Sequence, residues 1–503
     1  MPSAPPLPSD IHIDVLIVGA GISGISMAAH MGMHCPGRSY AIIEQRERLG
    51  GTWDLFRYPG VRSDSDMYTL GFAFEPWTDA DSIAGGDRIL AYLDRVAEQR
   101  NIRPHIRFGT KVVAADFRAQ EARWYITLDD ANGRRTLTAG VLYFGAGYYD
   151  YDTPHDAQLP GLDSFGGTVV HPQFWPQGLD YSGKRVVVIG SGATAVTLVP
   201  AMAQAAAHVT MLQRTPTWMA SLPARDPFAR LAMALLPAGS AYRLIRAKNV
   251  RLQEWVFNLA RRSPGRLAGW LTRATKKALG AHYSAKDLTP PYGPWEQRLC
   301  LVPDGDFFAA LRQGRASVVT GTIGGIKQDG IVLESGEHLP ADILVTATGL
   351  KLSIAGGVQV SLDGHKVSWR KRFYYRGCMF SDVPNLFISF GYLNASWTLR
   401  ADLTARYACD VLNAMQAKGA DIACPRLPDN HGLAEDNVYQ FTSGYIQRAL
   451  PLMPKSATAL PWRLNQDYRE DLRDFRSRPA DDGVLRFEKA HWQGAKNSPI
   501  PAA

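Results

Sequence analysis

The chain has 503 residues, 46% of them apolar and 20% charged, with a formal net charge of +8. That length predicts two or three domains of globular-enzyme composition. It holds no run near the ~18 apolar residues of a membrane span, and its Pro-rich start lacks the order of a signal peptide. The five cysteines (Cys35, Cys300, Cys378, Cys409, Cys424) form no CxxC and no metal-ligand spacing, which predicts a reducing, cytoplasmic compartment and no metal site.

The first element is "IDVLIVGAGISGISMAAHM". Val15 to Val18 read as a buried parallel strand, and Gly19-x-Gly21-x-x-Gly24 then opens a helix that includes Ser23. A second strand, "SYAIIEQ", reaches Glu44, 25 positions after Gly19. Strand, glycine turn, helix, strand and acid together make a dinucleotide fingerprint, with the pyrophosphate on the helix N-terminus and the acid on the ribose. Next come "HIRFGTKVVAADF", "WYITLDDANGRR" and "TLTAGVLYFGAG", a β-rich excursion with Asn132-Gly133 as a hairpin turn.

The unit then recurs. "RVVVIGSGATAVTLVP" carries Gly190-x-Gly192-x-x-Ala195, with Ser191, Ala193 and Thr194 in the turn, and "HVTMLQRT" is its second strand. Where the first strand ends on Glu44, this one ends on Gln213-Arg214-Thr215. An acid repels a 2′-phosphate, whereas Arg214 pairs with it. The first site is therefore expected to take a diol-ended nucleotide such as FAD, and the second NADP. A β-rich sequel follows the second unit as well, in "ASVVTGTIGGI", "GIVLES" and "ADILVTATG", which makes the two halves a repeat.

Residues 220–290 interrupt the second unit with apolar and basic residues at helical spacing. Between Arg225 and Lys277, twelve Lys or Arg face only Asp226 and Glu254, a local +10 that exceeds the charge of the whole chain. The remainder is near neutral, so the basic balance does not point to nucleic acid. A solvated outer face explains the charge, and so does a basic amphipathic surface in peripheral contact with a membrane. The expected fold class is α/β, with two Rossmann-like dinucleotide-binding domains and a helical insertion in the second. Residues 1–152 and 385–503 form the FAD domain, 153–219 and 291–384 the NADP domain, and 220–290 the insertion.

Two such nucleotides imply hydride flow from nicotinamide to flavin. "GGTWDLFRYPGVRSDSDMY" holds no cysteine where a disulfide reductase carries its redox pair, so the electrons pass to O₂, a quinone or a protein partner. Between the two units lies "FGGTVVHPQFWP". Phe165, Gly167, His171, Trp175 and Pro176 meet in full the pattern F-x-G-x-x-x-H-x-x-x-W-P, and the chain resembles a type I Baeyer–Villiger monooxygenase of class B. "YGPWEQRLCLVP", "GYLNASWTLRADL" and "PWRLNQDY" resemble the branch that contains the ethionamide-activating monooxygenase, and the likeness runs from about Asp14 to Phe487.

The resemblance implies a C4a-peroxyflavin that converts ketones to esters or lactones with NADPH and O₂, and that also oxidises sulfides and thiocarbonyls. It places the catalytic cation at Arg298, in "WEQRLCL", with Asp64 as its partner near the flavin. Thr52, Trp53, Asp54, Arg62 and Ser63 are expected to line the flavin, and Val112 to offer backbone to the adenine. His171 and Trp175 are expected to latch the two domains, in a linker stiffened by Pro172 and Pro176 that precedes the second fold's first strand. Two further enzyme readings are a heteroatom oxygenase and an NADPH oxidase that releases peroxide. A membrane-surface binding protein on a vestigial fold is a reading from another class, and the two intact glycine turns oppose it.

Overall fold

The computed structural model describes residues 11–297, 299–436 and 444–490. β1 (His12–Val18), α1 (Ile22–His34) and β2 (Tyr40–Ile43) form the first strand–turn–helix–strand unit. The helices α2 (Thr52–Leu55), α3 (Met67–Leu70) and α4 (Gly86–Gln99) follow, and β3 (Ile106–Arg107) extends the edge beside β2. β4 (Thr110–Arg118), β5 (Arg123–Asp130) and β6 (Gly133–Phe144) are the expected antiparallel excursion, turning at Gly133 with φ +99°. β6 joins the two parts: residues 133–139 pair with β5, while 138–144 run parallel to β1. Alternation along β1 sends Val15 and Ile17 into one core and Leu16 and Val18 into another. Both faces are covered, which is why that strand reads as an unbroken apolar run.

The second sheet repeats the plan. β7 (Thr168–Val170), β8 (Arg185–Ile189), α5 (Ala193–Met202) and β9 (His208–Gln213) lead to β10 (Met219–Leu222). After the helical insertion come β11 (Cys300–Pro303) and β12 (Ala316–Thr320), then an antiparallel trio: β13 (Ile323–Lys327), β14 (Gly330–Leu333) and β15 (His338–Pro340). β16 (Ile343–Thr346) completes a parallel sheet in the order β12-β9-β8-β16-β7.

Two expectations change. "FGGTVVHPQFWP" is more than a stiff linker: its Thr168–Val170 is itself the edge strand β7, paired parallel to β16. The chain also rejoins the first sheet well before residue 385. β17 (Gln359–Leu362) lies parallel to β4, and β18 (His365–Lys366) hairpins on it. The missed strands are short and at or next to a sheet edge, where the apolar pattern is weak.

The insertion consists of α6 (Pro227–Leu235), α7 (Ala238–Arg262) and α8 (Pro264–Leu279). Pro237 and Pro264 separate the helices, the second sitting at an N-terminal position that needs no N–H. Parallel pairing of β10 with β11 closes the base of the insertion. Although it interrupts the second unit, α7 packs on the first. Arg246 is 8% exposed, and its Nη1 donates at 2.8 Å to the carbonyls of both Tyr68 and Gly71. Tyr242 Oη donates to Phe72 O at 2.9 Å, and Asn249 Nδ2 to Asp66 Oδ1 at 2.7 Å. The helix Trp397–Lys418 then packs along α1, where Ser26 Oγ donates to Asp402 Oδ1 at 2.8 Å.

Candidate functional site

One cleft of about 630 Å³ is lined by residues of both glycine turns. Its volume falls in the range of small-molecule sites. In the first turn Gly19 has φ +96°, and a Cβ at Gly24 would fall 1.9 Å from Gly19 O. Strand and helix thus approach more closely than any side chain allows. α1 starts from Gly21 with no side-chain cap, so its first N–H groups open on the cleft between Gly21 and Ser23. The Ser23 hydroxyl accepts from Trp397 Nε1 at 2.7 Å.

Glu44 lines the cleft but is 4% exposed, and both its oxygens are engaged from behind. Oε2 accepts from Ala20 N at 2.7 Å and Oε1 from Arg46 N at 2.9 Å. Burial pushes its pKa up, and the two backbone bonds pull the other way. Thr52 and Trp53 line the cleft, with Thr52 Oγ1 3.3 Å from Tyr151 Oη. Asp54 does not: it is buried behind the wall, where it accepts from Arg46 Nε at 2.8 Å and pairs with Arg57. Arg62, Ser63 and Asp64 follow on the cleft surface, and the Arg62 guanidinium bridges to Asp306 at the start of the helix Asp306–Arg312. Val112 lines the cleft at the register shift of β4.

The second turn repeats the first, with looser packing at its third position. Gly190 has φ +134°, and a Cβ there would meet Ala347 O at 2.3 Å. α5 starts from Gly192, again without a side-chain cap. Ser191, Gly192, Ala193 and Thr194 line the cleft, while Ala195 is fully buried beneath. Pairing of Val18 with Ile43 and of Ile189 with Leu212 makes Gln213 the positional counterpart of Glu44. Gln213 is buried and its Nε2 donates to Asp287 O at 2.6 Å. Arg214 stands one residue further along and is exposed, beside the half-buried Thr215, whose carbonyl accepts from Ser191 Oγ at 3.0 Å. Neither Arg214 nor Thr215 belongs to the cleft lining.

His171 reaches the cleft from the end of β7. Its Nδ1 accepts from Gln173 N at 3.2 Å, and Gln173 Nε2 donates to Asp150 O at 2.7 Å. Burial lowers the imidazole's pKa, and the Gly349 backbone opposes that shift. Tyr58 spans the two halves by hydrogen bonding to Thr194, and burial pushes its phenol up to about 12. Arg298 lies outside the described residues, while Gln297, Cys300 and Leu301 around it line the cleft.

Residues 16–233 match the family described as pyridine nucleotide-disulphide oxidoreductase. The chain is 47% identical over 480 residues to the FAD-containing monooxygenase EthA of Mycobacterium tuberculosis, covering 95% of this chain and 98% of that protein. The chain belongs to the FAD-containing monooxygenases. In fold it is similar to an oxidized steroid monooxygenase bound to NADP (TM-score 0.77, 22% identity, 95% of this chain and 100% of that one). It is also similar to an ε-caprolactone-bound cyclohexanone monooxygenase (TM-score 0.72, 20% identity, 95% and 100%).

The first turn of this monooxygenase fits a flavin dinucleotide: uncapped helix donors for a pyrophosphate, a glycine-only close approach, and an acid at the strand end. Sequence reasoning missed the aromatic wall opposite. Tyr148 stacks on Trp397 with centroids 5.0 Å apart, and its Oη lies 2.5 Å from Tyr149 Oη. Both tyrosines, Tyr151 and Trp397 line the cleft. The signal was present in "YYDYDTP", directly after a strand of the first fold, where five aromatic or acidic side chains cannot all be buried in a core.

Proposed function

We propose that this monooxygenase is an NADPH- and O₂-dependent Baeyer–Villiger enzyme that converts ketones to esters or lactones and also oxidises sulfides. The observation that carries the reading is the single cleft reached by two uncapped glycine-turn helices, one beside a buried acid and the other beside an exposed arginine. The fold likeness to a monooxygenase with a bound lactone supports it, as does the complete Phe165–Pro176 fingerprint. The first sheet holds FAD. The second holds NADP, with Arg214 facing the 2′-phosphate.

Bound flavin, once reduced by the nicotinamide, supplies the activation of O₂. The chain's own part is to bind, orient and stabilise. The N–H groups at the starts of α1 and α5 take the two pyrophosphates. His171 positions the 148–153 loop through Gln173 and takes no part in proton transfer. The fixed cation that a developing oxyanion needs would be Arg298, with Asp64 as its carboxylate partner, as the family resemblance implies. Partners on this reading are a hydrophobic ketone or sulfide, O₂ and, through the 225–277 segment, a membrane surface.

The test is product analysis by gas chromatography with NADPH and a panel of ketones and sulfides, on wild type and Arg298→Ala. The variant is expected to be reduced by NADPH at the wild-type rate yet to lose ester formation by about 10²-fold or more, as when one oxyanion donor is removed. Wild-type ester yield from Arg298→Ala would remove the arginine from the mechanism. Sulfoxide without any ester from wild type would leave only heteroatom oxygenation.

A further inference from the structure

Nine of the twelve large apolar side chains exposed among the described residues lie between Leu222 and Trp270. They fall on defined faces. In α6, Phe228, Leu231 and Leu235 recur at i, i+3 and i+7 on the outside, while Ala229 and Ala232 enter the core. In α7, Leu244, Leu252 and Trp255 share an arc of ~100° with exposed Arg251 and Arg262, opposite the buried Tyr242, Arg246 and Asn249. Lys248 ties the two helices, its Nζ 4.9 Å from the Phe228 ring. In α8, Trp270 is flanked by exposed Arg266, Arg273 and Lys277, with Leu267 and Leu271 inside.

We propose that this α6–α8 surface docks on an anionic lipid bilayer, lying in the headgroup plane. No helix among the described residues is long and apolar enough to cross a membrane. Leucines and tryptophans among arginines suit the boundary between acyl chains and phosphates. The exposed cations of this face, Arg251, Arg262, Arg266, Arg273 and Lys277, select an anionic partner. A second copy meeting the same face would set like charge against like. A nucleic acid would leave Leu231, Leu235 and Leu244 without contacts. The other side of α7 turns toward the cleft: Phe257, two residues beyond Trp255 and on the opposite face, meets Trp295 edge-on at 5.8 Å, and Gln297 lines the cleft. Docking stands independently of the oxygenation chemistry, because lipid binding is measured without turnover.

The full-length, FAD-loaded protein is to be sedimented with vesicles of phosphatidylcholine alone and of phosphatidylcholine with phosphatidylglycerol, at low and high salt. Co-sedimentation is expected with the anionic vesicles at low salt and release at high salt. Each lost cation is worth about fivefold in partitioning, so Arg251→Glu/Arg266→Glu should lower binding by more than about tenfold. Leu231→Ser/Leu235→Ser should weaken it as well, with flavin absorption and lipid-free NADPH oxidation of both variants at the wild-type level. Wild type that stays in the supernatant at low salt, or variants that pellet as well as wild type, would overturn the proposal. So would a wild-type dimer that Leu231→Ser/Leu235→Ser splits, which would make the face a self-association surface.

Discussion

The two glycine turns share one pattern, Gly19-Ala-Gly21-Ile-Ser-Gly24 and Gly190-Ser-Gly192-Ala-Thr-Ala195, and the same strand contact. Gly19 N donates to Ile43 O and Gly190 N to Leu212 O, both at 2.8 Å. They differ in tolerance and in where they keep charge. The third position of the first turn has no room for a methyl group, while the second turn accommodates one in Ala195. The first is braced by a buried carboxylate, Glu44. The second places a neutral amide, Gln213, at that position and carries its charge one residue outward on exposed Arg214. A closed, internally braced turn suits a resident cofactor; an open turn with an outside cation suits a nucleotide that comes and goes.

The sharpest break of this contrast is Gly24→Ala. Its Cβ would sit 1.9 Å from a backbone oxygen that belongs to the turn itself, so relief requires α1 to move off β1. Overpacking of a core costs about 1–3 kcal/mol, and a backbone clash lies at or above the top of that range. The variant is expected to purify without flavin colour and to melt well below wild type. The mirror change, Ala195→Gly, should cost only about 1 kcal/mol of helix stability and leave FAD in place. Equal flavin content in Gly24→Ala and wild type would mean that the two turns are not packed differently.

Glu44→Gln tests the brace. A side-chain amide offers one acceptor oxygen where the carboxylate offers two, so either Ala20 N or Arg46 N loses its partner, at about 1–3 kcal/mol. The pH dependence has a definite sign. Burial raises the Glu44 pKa, so the folded state holds its proton more tightly than the unfolded chain does. Wild-type stability from this group is then greatest below the unfolded carboxylate range and declines as pH rises through that range to the folded pKa. Glutamine has no such slope. Urea midpoints of wild type and variant should therefore draw closer as pH rises across the window, and a gap that widens instead would contradict the burial of Glu44.

Much of this was legible in the chain because periodicity and glycine spacing report backbone geometry directly. β1, α1, β2 and their repeat in β8, α5 and β9 fall where the apolar runs and the two fingerprints place them. What stayed hidden depended on contacts distant in sequence. β7 is a short edge strand and β17 a short strand one in from the edge, and each joins its sheet through a strand more than 150 residues away, β16 and β4. Asp54 looks like a cleft acid until Arg46 and Arg57 are seen to hold it behind the wall. Tyr148 becomes a wall of the cleft only when Trp397 arrives from the far end of the chain to stack on it.

The smallest expected effect bears on the outward charge. Arg214→Ala removes one exposed cation and no packing, so stability and flavin content should match wild type. If Arg214 meets a 2′-phosphate, the variant should show about a tenfold higher KM for NADPH at unchanged kcat, the pattern of a lost uniform binding contact. Its KM for NADH, which carries no 2′-phosphate, should stay as it is. The discriminating quantity in steady-state NADPH and NADH oxidation is thus the ratio of the two KM values rather than either alone. A ratio unchanged by the substitution would place the 2′-phosphate elsewhere on the second fold. The difference between the two turns would then lie in packing and in the exchange of Glu44 for the neutral Gln213, which is buried and bonded to Asp287 O.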